Sequence, residues 1–210
     1  MQQNELRASL PTTIMMVRHA TVHNPRGILY GRLPHFGLSK EGREQAARVA
    51  RFLASRPVTA IYASPLLRAR QTADIVAGLQ PAAARHSSSL LLESRTSYQG
   101  EPNSVLKKGF SFYEPRHAED DESMQDIFDR ISRFLRIAAR RHAGETIVAV
   151  SHADPITVMR VGLEGRSMTS HDLHAVLYPA RASVTQLVLF PDQPFTMSYF
   201  NVAGVQEEKL

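Results

Sequence analysis

The chain has 210 residues, with 25 Lys and Arg against 20 Asp and Glu, and no cysteine. That length suits a single domain spanning 1–210 with a decorating insert. The missing cysteine excludes disulfides and zinc sites built on thiolates.

The formal charge of +5 sits on scattered arginines, with Arg140-Arg141 the only adjacent arginine pair. No long basic block or aromatic-interleaved strip occurs, so no nucleic acid partner is expected. No apolar run approaches the roughly 20 residues that cross a bilayer, so no membrane association is expected either. The segment Met1 to Pro11 carries Glu5 and Arg7 and does not read as a secretory signal. The expected location is cytoplasmic.

Apolar strand-like runs alternate with helical patterns, which predicts an α/β sheet covered by helices. Thr13 to Val17 is a short apolar run that ends abruptly in Arg18-His19. Ser39 opens a helical stretch with an apolar stripe of Ala46, Val49, Ala50 and Leu53, closed by Pro57. Val58 to Tyr62 is the next strand. Ser64-Pro65 then reads as a helix start, serine capping the free amides and proline taking the first position. This helix stops near Gly78.

Ser89 to Leu92 is a candidate third strand. From Glu93 to Glu122 periodicity is lost, and the stretch 94–122 reads as an insert on the substrate side. Ser123 opens a helix with Ile127, Phe128, Ile131, Phe134, Leu135 and Ala138 at helical spacing, ended by Gly144. Thr146 to Val150 is uniformly apolar, as a buried parallel strand should be. Asp154-Pro155 begin a further helix ending near Gly162 or Gly165. Ser183 to Phe190 and Phe195 to Val202 flank the turn Pro191-Asp192-Gln193-Pro194 and predict an antiparallel hairpin at one sheet edge. That edge could pair across a homodimer.

Three junctions carry unusual polar residues: Arg18-His19-Ala20-Thr21, Ser64 to Ala73, and Ser151-His152-Ala153-Asp154. In a parallel sheet the carboxyl ends of the strands share one edge, where ligands bind. The three junctions should therefore converge on one cleft holding two histidines and at least two arginines. Arginine matches phosphate oxygens with its planar fork, and a helix beginning near Ala153 would aim free amides the same way. The cleft suits a dianion. No lysine-bearing glycine loop is present, so a nucleotide P-loop is excluded.

On these residues the sequence resembles the histidine phosphatase superfamily, also called the phosphoglycerate mutase-like family. The matching motifs are Arg18-His19, Ser64-Pro65-Leu66-Leu67-Arg68-Ala69-Arg70-Gln71-Thr72-Ala73, Ser151-His152-Ala153, and Leu38-Ser39 through Gly42 to Gln45-Ala46. Ala20 stands where the family usually has glycine. Asn24 lies one place closer to the histidine than the family's phosphate-contacting asparagine. Tyr98-Gln99-Gly100 stands for the usual Trp-Glu-Gly.

The resemblance implies a three-layer α/β/α sandwich with a mostly parallel central sheet. It implies phosphoric monoester hydrolysis of a small phosphorylated metabolite through a phosphohistidine at His19. Arg18, Arg68 and His152 would surround the phosphoryl oxygens, with Asn24 and the amide of Ala153 as further phosphate contacts. Glu93 would be the general acid and then the base for water. Arg32 has two readings, a substrate contact and a surface residue, and Arg70 reads as surface. His23 and His35 read as loop residues.

No cofactor and no metal are expected. The segment His117 to Glu122 and the group His171, Asp172 and His174 lack convincing ligand spacing. A phosphoglycerate mutase-type phosphomutase and a non-catalytic phosphate-binding module stand as alternatives.

Overall fold

The computed structural model describes residues 10–107, 110–191 and 193–204. Lys108, Gly109 and Asp192, which belong to the predicted insert and hairpin turn, lie outside these. The sheet has six strands: β1 (Thr12–Arg18), β2 (Val58–Ala63), β3 (Ala84–Ser87), β4 (Thr146–Ser151), β5 (Val184–Leu189) and β6 (Thr196–Phe200). Their order is β3-β2-β4-β1-β5-β6. The first four run parallel, while β5 and β6 are antiparallel additions at the β1 side. This is an α/β fold with a mixed, mostly parallel sheet, and the terminal hairpin lies at the edge where the sequence puts it.

The period of two along β1 builds both layers. Met15 and Val17 face a core with Val49, Leu53 and Val76, from helices α1 (Lys40–Leu53) and α2 (Leu67–Ala77). Ile14 and Met16 face the opposite core with Ile131, Phe134, Ile156 and Met159, from α3 (Met124–Arg141) and α4 (Ala153–Leu163). Each such fully buried aliphatic or aromatic side chain contributes roughly 1.5–3 kcal/mol. Both faces of β1 and β4 are covered, which is why their sequences carry no polar alternation.

Local chemistry sets the helix ends. Ser39 accepts from the Gly42 amide and starts α1. Ser123 and Asp126 exchange hydrogen bonds in a capping box at the start of α3. A short helix α5 (Ser170–Ala175), capped by Thr169, follows α4 and is not anticipated by the periodicity. No helix among the described residues is long and apolar enough to cross a membrane.

Two sequence expectations are corrected. The third strand is Ala84–Ser87 and not Ser89–Leu92, which forms a 3-10 turn with Leu91 buried. β3 is a largely exposed edge strand with one apolar residue, so hydrophobic patterning could not reveal it. The second helix starts at Leu67, and Ser64 does not cap it.

The insert folds back over α3 and α4. Tyr113 joins Met124, Ile127, Val158 and Val161 in a third apolar cluster. Tyr98 packs its ring against Phe110, Phe112 and His117.

Candidate active site

The strand register sets the site. Val17 of β1 and Ala63 of β2 both pair with Val150 of β4, so the three strands end level. Past those ends the chains stay tied. The His19 amide donates to the Ser151 carbonyl at 2.9 Å, and the Ser64 amide donates to the Val150 carbonyl at 2.9 Å. The three predicted junctions therefore meet at one edge, and His19, Arg68, His152 and Ser64 are all essentially buried there.

His19 has a defined tautomer. Its Nδ1 lies 2.8 Å from the Ala20 carbonyl, an acceptor, so Nδ1 carries the hydrogen. Its Nε2 receives the Nε–H of Arg68 at 3.1 Å, so Nε2 carries the lone pair. Burial, then the charges of Arg68 and Arg18, hold its pKa well below the ordinary histidine range. His19 is thus a neutral imidazole whose Nε2 lone pair is held by Arg68.

Arg68 is fixed from three sides. Its Nη2 donates to the Gly31 carbonyl at 2.6 Å, and its guanidinium carbon lies 4.7 Å from the centre of the Tyr30 ring. Its Nη1 is buried and has no hydrogen-bond partner.

His152 lies beside His19, with ring centroids 5.0 Å apart. The Ser64 hydroxyl meets its Nε2 at 2.8 Å. The hydroxyl can donate to that nitrogen or accept from it, so the tautomer of His152 sets what its Nδ1 offers. That Nδ1 is buried without a hydrogen-bond partner, 3.8 Å from a Glu93 carboxylate oxygen. His152 also occupies the N-cap position of α4, so the first-turn amides beginning at Ala153 start beside it.

Arg18 is 6% exposed; its Nη1 donates to the Pro179 carbonyl at 2.7 Å, and its guanidinium lies over the Tyr178 ring.

The motif residues around these groups have structural duties. Gln45 Oε1 accepts from both the amide and the hydroxyl of Thr21 at 2.9 Å, pinning the loop after His19. Thr72 Oγ1 accepts from the Ala20 amide at 3.3 Å, and Gln71 Oε1 accepts from the Leu38 amide at 2.7 Å. Gly42 leaves room for that loop: a Cβ there would come 2.0 Å from the Thr21 carbonyl oxygen.

Glu93 follows the 3-10 turn, and its side chain is 15% exposed, facing His152. Burial, then the nearby Asp154 carboxylate, push its pKa up to about 7 against the pull of Arg68. Its carbonyl accepts from Arg32 Nε at 2.7 Å and Arg130 Nη2 at 3.3 Å. Both arginines also pair with Glu122, at 2.7 and 3.0 Å.

The remaining predicted residues are less free than the sequence suggests. Arg32 spends its guanidinium on the Glu93 carbonyl and the Glu122 carboxylate, fixing the main chain at Glu93. Asn24 closes its own loop, donating to the Ile28 carbonyl and accepting from the Ile28 amide. Arg70 is exposed, as expected.

Four further residues have no individual role that the sequence points to. Arg181 adds positive charge near His19, beside the Ala182 amide that donates to the His19 carbonyl. The buried Asp154 carboxylate accepts from the hydroxyls of the buried Tyr113 and the more exposed Tyr178. Arg181 is a lone charge in a loop and gives no pattern signal. Asp154 looks like an ordinary acid in the first turn of a helix.

His19, Glu93 and His152 each present one donor atom, all within 4.8 Å of one another, which is enough to ligate a metal. The guanidiniums argue for an anion instead. Arg68 already holds the His19 lone pair that a metal would need, and Arg18 adds a second positive charge.

A model of the histidine phosphatase superfamily (branch 1) matches residues 14–202. An uncharacterized protein of Mycobacterium tuberculosis is 36% identical over 211 residues, covering 92% of this chain and 98% of its own length. Phosphoserine phosphatase 1 of Hydrogenobacter thermophilus is 29% identical over 161 residues, 72% of this chain and 76% of its own. Among solved structures, YhfR of Bacillus stearothermophilus superposes with a TM-score of 0.78 at 22% identity, covering 89% of this chain and 95% of that one.

Proposed function

We propose that this chain, which belongs to the histidine phosphatase superfamily, hydrolyses phosphoric monoesters of a small metabolite through a phosphohistidine at His19. One observation carries the reading. Beside the His19 Nε2 lone pair, two fully buried nitrogens, the Arg68 Nη1 donor and His152 Nδ1, have no hydrogen-bond partner. Burying an unmet donor costs roughly 1–3 kcal/mol, and a phosphoryl group supplies the missing oxygens.

In the first half-reaction the phosphoryl oxygens take over the Arg68 hydrogen bonds, which frees Nε2. Nε2 attacks phosphorus in line, the phosphorus–oxygen ester bond breaks, and Glu93 protonates the departing alkoxide. Arg18 and Arg68 neutralise the charge that spreads over the equatorial oxygens, and His152 lies beside them as a neutral polar contact. In the second half-reaction the Glu93 carboxylate takes a proton from water as that water attacks the phosphohistidine. Phosphate leaves, and Glu93 is protonated again for the next substrate. The raised pKa of Glu93 suits both tasks near neutral pH.

The test is a screen of phosphoric monoesters with the purified protein, using His19→Ala as the reference. Release of inorganic phosphate by wild type and not by His19→Ala supports the reading. Equal release by the folded variant refutes it.

A further inference from the structure

The Asp154 carboxylate is 8% exposed, and its three side-chain partners all lie outside its own helix. Oδ2 accepts from the Tyr113 hydroxyl of the insert at 2.6 Å and from Ser94 Oγ at 3.3 Å. Oδ1 accepts from the Tyr178 hydroxyl at 3.0 Å, and the Tyr178 ring lies under Arg18. Ser94 in turn donates its amide to Glu93 Oε1 at 3.0 Å. One buried anion therefore ties together the residue after Glu93, the insert and the support of Arg18. A negative charge beside a pocket built for a dianion works against binding unless it serves the chemistry.

We infer that Asp154 is a positioning residue for Glu93, holding its loop through Ser94 and setting a second carboxylate behind it. The inference rests on the phosphatase reading, in which Glu93 is the acid.

The groups facing Glu93 divide by sign. Arg68 from α2 and Arg18 from β1 favour the carboxylate, as does the Ser94 amide. Arg32 and Arg130 meet its carbonyl, but Glu122 lies between them and offsets their charge. His152 is neutral, because burial and Arg68 hold its pKa well down. Tyr113 and Tyr178 stay protonated, their pKa values pushed well up by burial and Asp154. Asp154 is thus the negative side chain that balances the arginines, and without it Glu93 would lose its proton at lower pH.

Asp154→Asn keeps the shape and an acceptor oxygen while removing the charge. The measurement is kcat/KM against pH for glycerol phosphate, whose alkoxide needs a proton, and for p-nitrophenyl phosphate, whose phenolate does not. The variant should lose the alkaline limb with glycerol phosphate about one pH unit earlier, a roughly tenfold loss at pH 8. With p-nitrophenyl phosphate the loss should be about twofold or less. An unmoved limb, or equal losses for both substrates, overturns the role. Absence of any phosphoenzyme in wild type would instead refute the phosphatase reading, a separate result. Should Asp154→Asn fail to fold, carboxyl-carbon NMR of the wild-type protein decides. A Glu93 resonance that titrates in two steps supports the coupling, and a single step overturns it.

Discussion

Arg68 aims its Nε–H at His19 Nε2 across 3.1 Å, so a permanent cation holds the lone pair of the imidazole. A carboxylate in that place would raise the histidine pKa; the arginine, together with burial, lowers it. The neutral, reactive form of His19 therefore persists well below the usual histidine range.

Arg68→Ala should move the acid limb of kcat/KM to higher pH, because His19 then protonates more readily. It should also cut kcat/KM by about 10²–10³, as loss of a transition-state donor does. A pH–rate profile of the variant checks both effects. An acid limb that stays put would mean that Arg68 does not set the protonation of His19.

Glu93 carries a penalty of the opposite sign. Its folded pKa is raised above the ordinary carboxylate value, so the native state binds the proton more tightly than the unfolded chain does. The associated stability is fully present below about pH 4.5 and is lost as pH rises through about 7. Glu93→Gln should therefore raise Tm at pH 8, by about several degrees, and change it little at pH 5. The same variant should phosphorylate His19 far more slowly from glycerol phosphate than from p-nitrophenyl phosphate. Thermal melts at the two pH values and single-turnover kinetics test the pair of expectations.

The residue types of the candidate site are legible because they fall at strand ends or in the first turn of the helix that follows. Arg18-His19, Arg68 and Ser151-His152 each follow a run whose apolar pattern marks a strand or its succeeding helix. Their partners were not legible. Ser64-Pro65 looks like a helix start, yet Ser64 orients His152 from a loop that precedes α2. Ser89 to Leu92 looks like a strand because its leucines are apolar, yet Leu91 plugs the core from a 3-10 turn, with Leu90 packed against it, while polar β3 pairs at the edge. Arg32 and Asn24 are expected to meet substrate or phosphate, but long-range partners claim Arg32 and the loop itself claims Asn24. Such claims depend on contacts across 61 and 90 residues of sequence for Arg32, which periodicity cannot see.

The motif glycine at 42 has a steric reason that is open to test. A methyl group there would meet the Thr21 carbonyl oxygen, a backbone atom two residues after His19. Gly42→Ala should destabilise the protein by about 1–3 kcal/mol, despite the better helix propensity of alanine. Activity should fall as well, since the same loop carries the Ala20 carbonyl that fixes the tautomer of His19. Chemical denaturation alongside kcat checks this; a stabilised, fully active variant would show that the loop moves freely from α1.

The phosphohistidine is the centre of the account, and rapid mixing can display it. Wild-type protein mixed with excess p-nitrophenyl phosphate and quenched in alkaline denaturant, which preserves phosphohistidine, can be mapped by peptide mass spectrometry. One phosphoryl group should appear on the peptide carrying Arg18-His19-Ala20 within the first turnover, with its site at His19. It should disappear when the substrate is exhausted and be missing in His19→Ala. Sustained turnover with no phosphoryl group on His19, or with the group on another residue, would contradict the account.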